Sequence, residues 1–138
     1  MSGYLLDTNV ISEIARPRRD RGVVTFLDGL DDGFISAITI HELTFGLERL
    51  ESGPRRRNLT ETIEQFLALY QDRLLPVGVA EARDAAILRA GQQERGRTLH
   101  LADALIAATA LANGLVLATR NSKDFEELGV SLFDPWSG

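Results

Sequence analysis

Leu5-Leu6-Asp7-Thr8-Asn9 is the stretch on which the fold turns. Leu5 and Leu6 end a short apolar run entered at Gly3, as in a central strand. Asp7-Thr8-Asn9 then opens a helical pattern in which Val10, Ile11 and Ile14 point inward, running to Ala15 and stopped by Pro17. Three later segments read the same way, as a strand end passing into a helix: Ile38-Thr39-Ile40-His41-Glu42, Leu101-Ala102-Asp103-Ala104-Leu105, and Thr119-Arg120-Asn121-Ser122-Lys123-Asp124-Phe125. Each leaves a carboxylate or an amide at the junction. In a parallel α/β sheet all such junctions lie along the carboxyl ends of the strands, where these folds bind ligands. Residues more than a hundred positions apart would therefore meet in one cleft.

The rest of the chain fits that frame. Val23, Val24, Phe26, Leu27 and Leu30 have helical spacing and lead to an Asp31-Asp32-Gly33 turn, after which 34–38 reads as a second strand. A helix from Thr39 breaks at Gly53-Pro54, and 55–70 forms another amphipathic helix through Leu59, Ile63, Phe66, Leu67 and Tyr70. A strand is expected over 74–79, weakened by Pro76, then an alanine-rich helix over 80–94. Residues 101–113 are apolar on nearly every face, which predicts a helix buried on most sides and ended by Asn113-Gly114. Residues 115–119 form the continuous apolar run of an interior parallel strand, and a short helix over 124–128 and a strand over 130–133 close the chain. The alternation predicts one domain over residues 1–138, a three-layer α/β/α sandwich with a mainly parallel central sheet.

Composition narrows the chemistry. With 138 residues the chain can bury roughly two thirds of its unfolded surface. It has no cysteine, which removes disulfides and thiolate metal sites, and its two histidines, His41 and His100, are too few for a zinc site of the usual His/Cys type. The first expected strand begins almost at Met1, so no signal peptide is expected, and no apolar run approaches the ~20 residues of a membrane span. The expectation is a cytoplasmic protein. A net charge of −5 argues against generic duplex binding. The basic residues are nonetheless fourteen Arg and the single Lys123, with clusters at Arg16, Arg18, Arg19, Arg21 and at Arg55, Arg56, Arg57. Solvated helix ends account for such clusters, as would a phosphate or acidic-protein contact.

Each acid has a structural role to set beside a functional one. Asp7 is placed as an ordinary helix N-cap, and Thr39-Ile40-His41-Glu42 matches a capping box. Asp124 fits a cap or surface turn. Asp103 is different: it opens the apolar 101–113 helix, with no Lys or Arg within a turn of it on that helix. An ionised carboxylate there needs compensation. Asn121 is a neutral oxygen donor at a strand end. Clustered acids without a fixed basic partner suit a hard divalent cation, Mg²⁺ or Mn²⁺. Such a site, with no protein nucleophile, points to hydrolysis of phosphodiesters.

The motifs Leu6 to Glu13, Glu42 after a strand, Ala102 to Ala110 and Leu117 to Phe125 resemble those of PIN-domain ribonucleases, most closely the VapC/FitB-like toxins of type II toxin–antitoxin systems. The resemblance spans essentially the whole chain. It implies a Mg²⁺-dependent endoribonuclease (Mn²⁺ substituting), with Asp7, Glu42 and Asp103 as the metal-binding acids. The family's fourth acid falls here on Asn121, so Asp124 is the nearest replacement, while Asn9 and Thr119 look like groups that orient ligands. The resemblance also implies RNA as substrate, a small antitoxin as partner and a homodimer. The apolar content of the helices around 23–30 and 59–70 independently leads us to expect a partner chain. Two rival readings remain at this point. A receiver-type phospho-acceptor domain needs an acidic pair beside the first strand and a Lys at a late strand end, and neither Asp31-Asp32 nor Lys123 is so placed. A catalytically weak or silent PIN-like binding module stays open because of Asn121.

Overall fold

The computed structural model describes residues 3–137. Five short strands, β1 (Tyr4–Leu6), β2 (Gly33–Ser36), β3 (Leu74–Leu75), β4 (Val116–Ala118) and β5 (Leu132–Phe133), form one sheet in the order β3-β2-β1-β4-β5. Every pairing in it is parallel. Among the described residues six α-helices connect the strands: α1 (Thr8–Glu13), α2 (Arg21–Asp28), α3 (Ala37–Glu48), α4 (Pro54–Ala68), α5 (Val79–Glu94) and α6 (Leu101–Ala112). Among the described residues no helix is long and apolar enough to cross a membrane.

The two-residue period of a strand divides the core in two. Leu5 and Leu117 pack with Ala85 of α5 and with Ala104, Ile106, Ala107 and Ala108 of α6. Their neighbours Leu6 and Ala118 pack with Val10 and Ile11 of α1, Val23 of α2 and Ile63 of α4. Helices thus cover both faces of a parallel sheet, the three-layer sandwich expected. The chain leaves β1 toward β2 on one side and returns to β4 on the other, so the crevice between the carboxyl ends of β1 and β4 is the topological switch point of the sheet.

Several boundaries differ from the expected ones. β2 ends at Ser36, whose Oγ accepts the Ile38 N–H at 3.2 Å and caps α3. Thr39 and Glu42 therefore lie inside the helix, and Thr39 is no cap: the capping box does not form. A side-chain cap one turn earlier wins because it satisfies the orphan donors where the strand actually stops. The segment before α6 is also no strand. α5 ends at Glu94 and a loop through Leu99 and His100 leads into α6. Pro76 limits β3 to two residues, since proline cannot donate to the ladder. The segment expected to be helical at 124–128 is a 3₁₀ turn over Ser122–Phe125. Finally, the apolar surplus of α2 and α4 is absorbed internally. Val23, Ile63 and Tyr70 are buried, and Phe26, Leu27, Leu30, Phe66 and Leu67 pack against the same core. Most of the apolar content of these two helices is taken up by the core; of the large apolar side chains left in solvent, Leu69 caps the end of α4, and Val79, Ile87 and Leu101 lie on α5 and α6.

Candidate functional site

Asp7 follows β1 and caps α1. Its Oδ1 accepts the Thr8 N–H at 2.8 Å. Its Oδ2 accepts the Thr119 hydroxyl at 2.6 Å and the Asn9 amide at 3.3 Å. The Asp7 N–H continues the β1–β4 ladder by bonding Ala118 O at 2.9 Å, which fixes the register that brings Thr119 alongside. Thr119 is fully buried; its Oγ1 also accepts the Asn121 N–H at 3.0 Å. Asn9 Oδ1 in turn accepts the Arg120 N–H at 3.3 Å. Two junctions 112 residues apart are thus tied by one web of hydrogen bonds centred on a single carboxylate.

Glu42 lies in the second turn of α3, half-buried, with His41 Nδ1 2.9 Å from its Oε2. Asp103 occupies the first turn of α6. It is half-buried, not enclosed on every side, because α6 exposes Leu101 and Leu111 at its two ends. Asp7, Glu42 and Asp103 line one cavity of about 440 Å³ together with Asn9 and Asn121. Thr119 bears on it through its bond to Asp7. Asp124 is exposed and lines the adjoining cavity of about 390 Å³, which Asp103 shares. The Asp124 N–H bonds Asn121 O at 3.0 Å, which holds the turn against the strand end.

The electrostatics couple these acids. Burial raises the Asp7 carboxyl above its usual range; the bonds from Thr119 and Thr8 oppose that, and the charges of Asp124 and Glu42 add to it. Burial also pushes Asp103 up to about 6, helped by the charges of Asp7 and Asp124 and opposed by His100. Four carboxylates therefore repel one another across the cleft, and a cation relieves all of them at once. The donors are hard oxygens without sulfur, which suits Mg²⁺ or Mn²⁺. Among the described residues no three Asp, Glu or His side chains converge tightly enough to enclose an ion alone. Mg²⁺ does not require that, because it keeps several waters and takes only one or two carboxylates directly. The buried Thr8 hydroxyl, which also lines the cavity, has no hydrogen-bond partner among the described residues and leaves a further oxygen for a bound water. The residues fit the ion.

Three residues in the cleft carried no role in the sequence reading. Glu13 is buried, lines the cavity and accepts the Asp20 N–H at 2.8 Å and Arg16 Nη1 at 3.4 Å. Its helical spacing of four from Asn9 is the signal that could have found it. Arg120 and Trp136 stack at the rim, and only the return of the chain end through β5 brings them together. The arginine clusters are mostly exposed; Arg56 pairs with Glu48, Arg16 with Glu13. Asp32 O accepts the Tyr4 N–H at 2.8 Å, which puts Asp31-Asp32 at the amino end of β1, on the sheet edge opposite Asp7. That removes the receiver-type reading, which needs those acids beside the site.

Comparison with known proteins places the fold and the family. The Toxin FitB of Neisseria gonorrhoeae is 41% identical over 135 residues, covering 96% of this chain and 97% of that protein. The VapC ribonuclease Y4jK of Sinorhizobium fredii is 38% identical over 135 residues, 96% of each. Among solved structures, FitAcB from Neisseria gonorrhoeae superposes with a TM-score of 0.88 at 40% identity, covering 96% of this chain and 98% of that one. Residues 4–130 match the PIN domain family, a span that runs from β1 to the last turn before β5 and so takes in every acid of the cleft: the chain belongs to the PIN domain family.

Proposed function

We propose that the protein is a Mg²⁺-dependent endoribonuclease, the toxin of a type II toxin–antitoxin system, acting in the cytoplasm and held in check by a small antitoxin protein. The observation that carries the chemistry is that Asp7, Glu42 and Asp103 line one cavity, with Asp124 in the adjoining cavity that Asp103 shares, and that burial and acidic neighbours raise Asp103 to about 6. The whole-length likeness to relatives named as a toxin and as a ribonuclease supports the substrate and the biological role. Asp7, Glu42 and Asp103 hold the ion, Mg²⁺ or Mn²⁺, and Asp124 supplies the fourth acid that Asn121 does not. When bound, such an ion lowers the pKa of water and offsets phosphate charge in phosphodiester hydrolysis. Asn9 and Thr119 orient Asp7; the acids otherwise repel RNA, so the ion is also the condition for binding. The exposed apolar residues of α5 and α6, including Ile87 and Leu101, give a homodimer its contact surface in place of α2 and α4.

Cleavage of a fluorophore–quencher RNA with and without Mg²⁺ tests the reaction, and Asp103→Asn tests the site. Strict dependence on the ion is expected, with cleavage abolished and calorimetric Mg²⁺ affinity reduced in the variant. Unchanged metal affinity in Asp103→Asn would remove Asp103 from the ligand set, and the absence of cleavage in Mg²⁺ and Mn²⁺ alike would return the chain to a silent binding module. A monomer mass by light scattering at micromolar concentration would reject the dimer.

A further inference from the structure

Trp136, the chain's single tryptophan, stands in the wall of the acid cleft. Part of it packs on the core beneath α1 and α2, and the Arg120 guanidinium lies over its ring, 5.1 Å from the centroid. Both residues are anchored by their backbones. The Trp136 N–H bonds Asp134 Oδ1 at 2.8 Å, and the Arg120 N–H bonds Asn9 Oδ1 at 3.3 Å, one step from Asp7. Their side chains are left to do something else. Arg120 is exposed and forms no ion pair among the described residues, although it lines the same cavity as four carboxylates, Asp7, Glu13, Glu42 and Asp103. The other arginine in that cavity, Arg16, is held by Glu13. A planar cation resting on an aromatic face beside the phosphate-handling cleft is the kind of stack that unpaired nucleobases join.

We propose that Arg120 and Trp136 form a nucleobase subsite at the rim of the cleft, which holds one unpaired base of single-stranded RNA next to the phosphate to be cut. The proposal rests on the ribonuclease reading above. It adds that the substrate must present an unstacked base there, so regular duplex RNA is refused, and that the subsite takes any base, because every base has a π face.

The single tryptophan makes the test direct. In an Asp103→Asn background, which does not consume the RNA, a short single-stranded oligoribonucleotide is titrated in Mg²⁺ while indole fluorescence and the anisotropy of a labelled RNA are followed. Quenching that tracks binding is expected, and an RNA of equal length with abasic sites should bind without quenching. Arg120→Ala, a surface change that leaves the core intact, should weaken binding of the normal RNA roughly tenfold, within the range of one lost base stack. It should leave the abasic RNA unaffected. Trp136→Phe should retain most of the affinity. RNA that binds by anisotropy without altering the indole signal, and equally well to Arg120→Ala, would overturn the subsite while leaving the ribonuclease reading standing. RNA that is neither bound in this background nor cut by the unmodified protein would overturn both.

Discussion

The two walls of the cleft are built differently. On the β1/β4 wall, Asp7 is buried and both of its oxygens are claimed, by Thr8, Thr119 and Asn9. On the facing wall, Glu42, Asp103 and Asp124 sit half-buried or exposed on three separate elements, and among the described residues the one hydrogen bond formed by a carboxylate of the three is from His41 to Glu42. The first wall is preorganised by geometry. The second lacks such a web: its central acid, Asp103, is raised first by burial and then by the charges of Asp7 and Asp124. On the proposed function, an ion recruited by the second wall would be positioned by the first, a division of labour common at metal sites, where outer partners orient inner ligands.

The sharpest way to break this comparison is Glu42→Gln. The amide keeps the size of the side chain and its place in α3, so only the charge goes, and the melting temperature should hardly move. Cleavage should fall by roughly 100-fold or more, the upper end of what losing even an outer partner costs at a metal site. Full activity would leave Glu42 as a surface residue of α3.

Thr119→Val probes the other wall with the opposite signature. It strips the 2.6 Å bond from Asp7 and the acceptor for Asn121 while preserving shape. Activity should drop roughly 10-fold, and stability by about 1–3 kcal/mol because buried polar groups lose their partner. Thr119→Ser should restore most of both. A variant that melts like the parent and cuts like the parent would mean the web is not positioning Asp7.

A smaller effect separates Asp124 from Asn121. Asp124→Ala should lower activity several-fold, roughly the low end of the outer-partner range, and should also move the Asp103 carboxyl down, because one of the charges raising it is gone. Asn121→Ala changes no charge and should leave the pH profile in place. Equal profiles for the two variants, read from the pH dependence of cleavage, would make that corner purely structural.

The smallest effect is on stability against pH. Asp103 has a folded value of about 6 against 3.8 for the free group, so between those values the folded chain holds a proton that the unfolded chain releases. Its contribution to stability is therefore fully present below about 4 and is lost as pH rises through about 6. Metal-free melts should show a loss on the order of 1 kcal/mol across that window, after allowance for solvent screening, and Asp103→Asn should flatten it. Cleavage should run the other way, rising through the same window as the carboxylate forms. Melts of the parent and variant that run parallel from pH 4 to 7 would show that Asp103 is not raised.

Much of this molecule was determined by its sequence alone. Strand and helix alternation follows from local periodicity, and Asp7 at a strand-to-helix junction follows from two leucines before it and a helical pattern after it. Asp103 stood out because a carboxylate in an apolar helix is costly, an argument that needs no coordinates. What only the tertiary structure decided is everything that depends on register between distant segments. The β1–β4 pairing sets Thr119 against Asp7, Ser36 takes the α3 cap from Thr39, and β5 returns Trp136 to Arg120. The apolar faces of α2 and α4 read as spare in the sequence, and the core consumed them. Local propensity records which way a side chain would prefer to face, whereas packing decides which partner is waiting there, and that partner lies too far along the chain for any short pattern to specify.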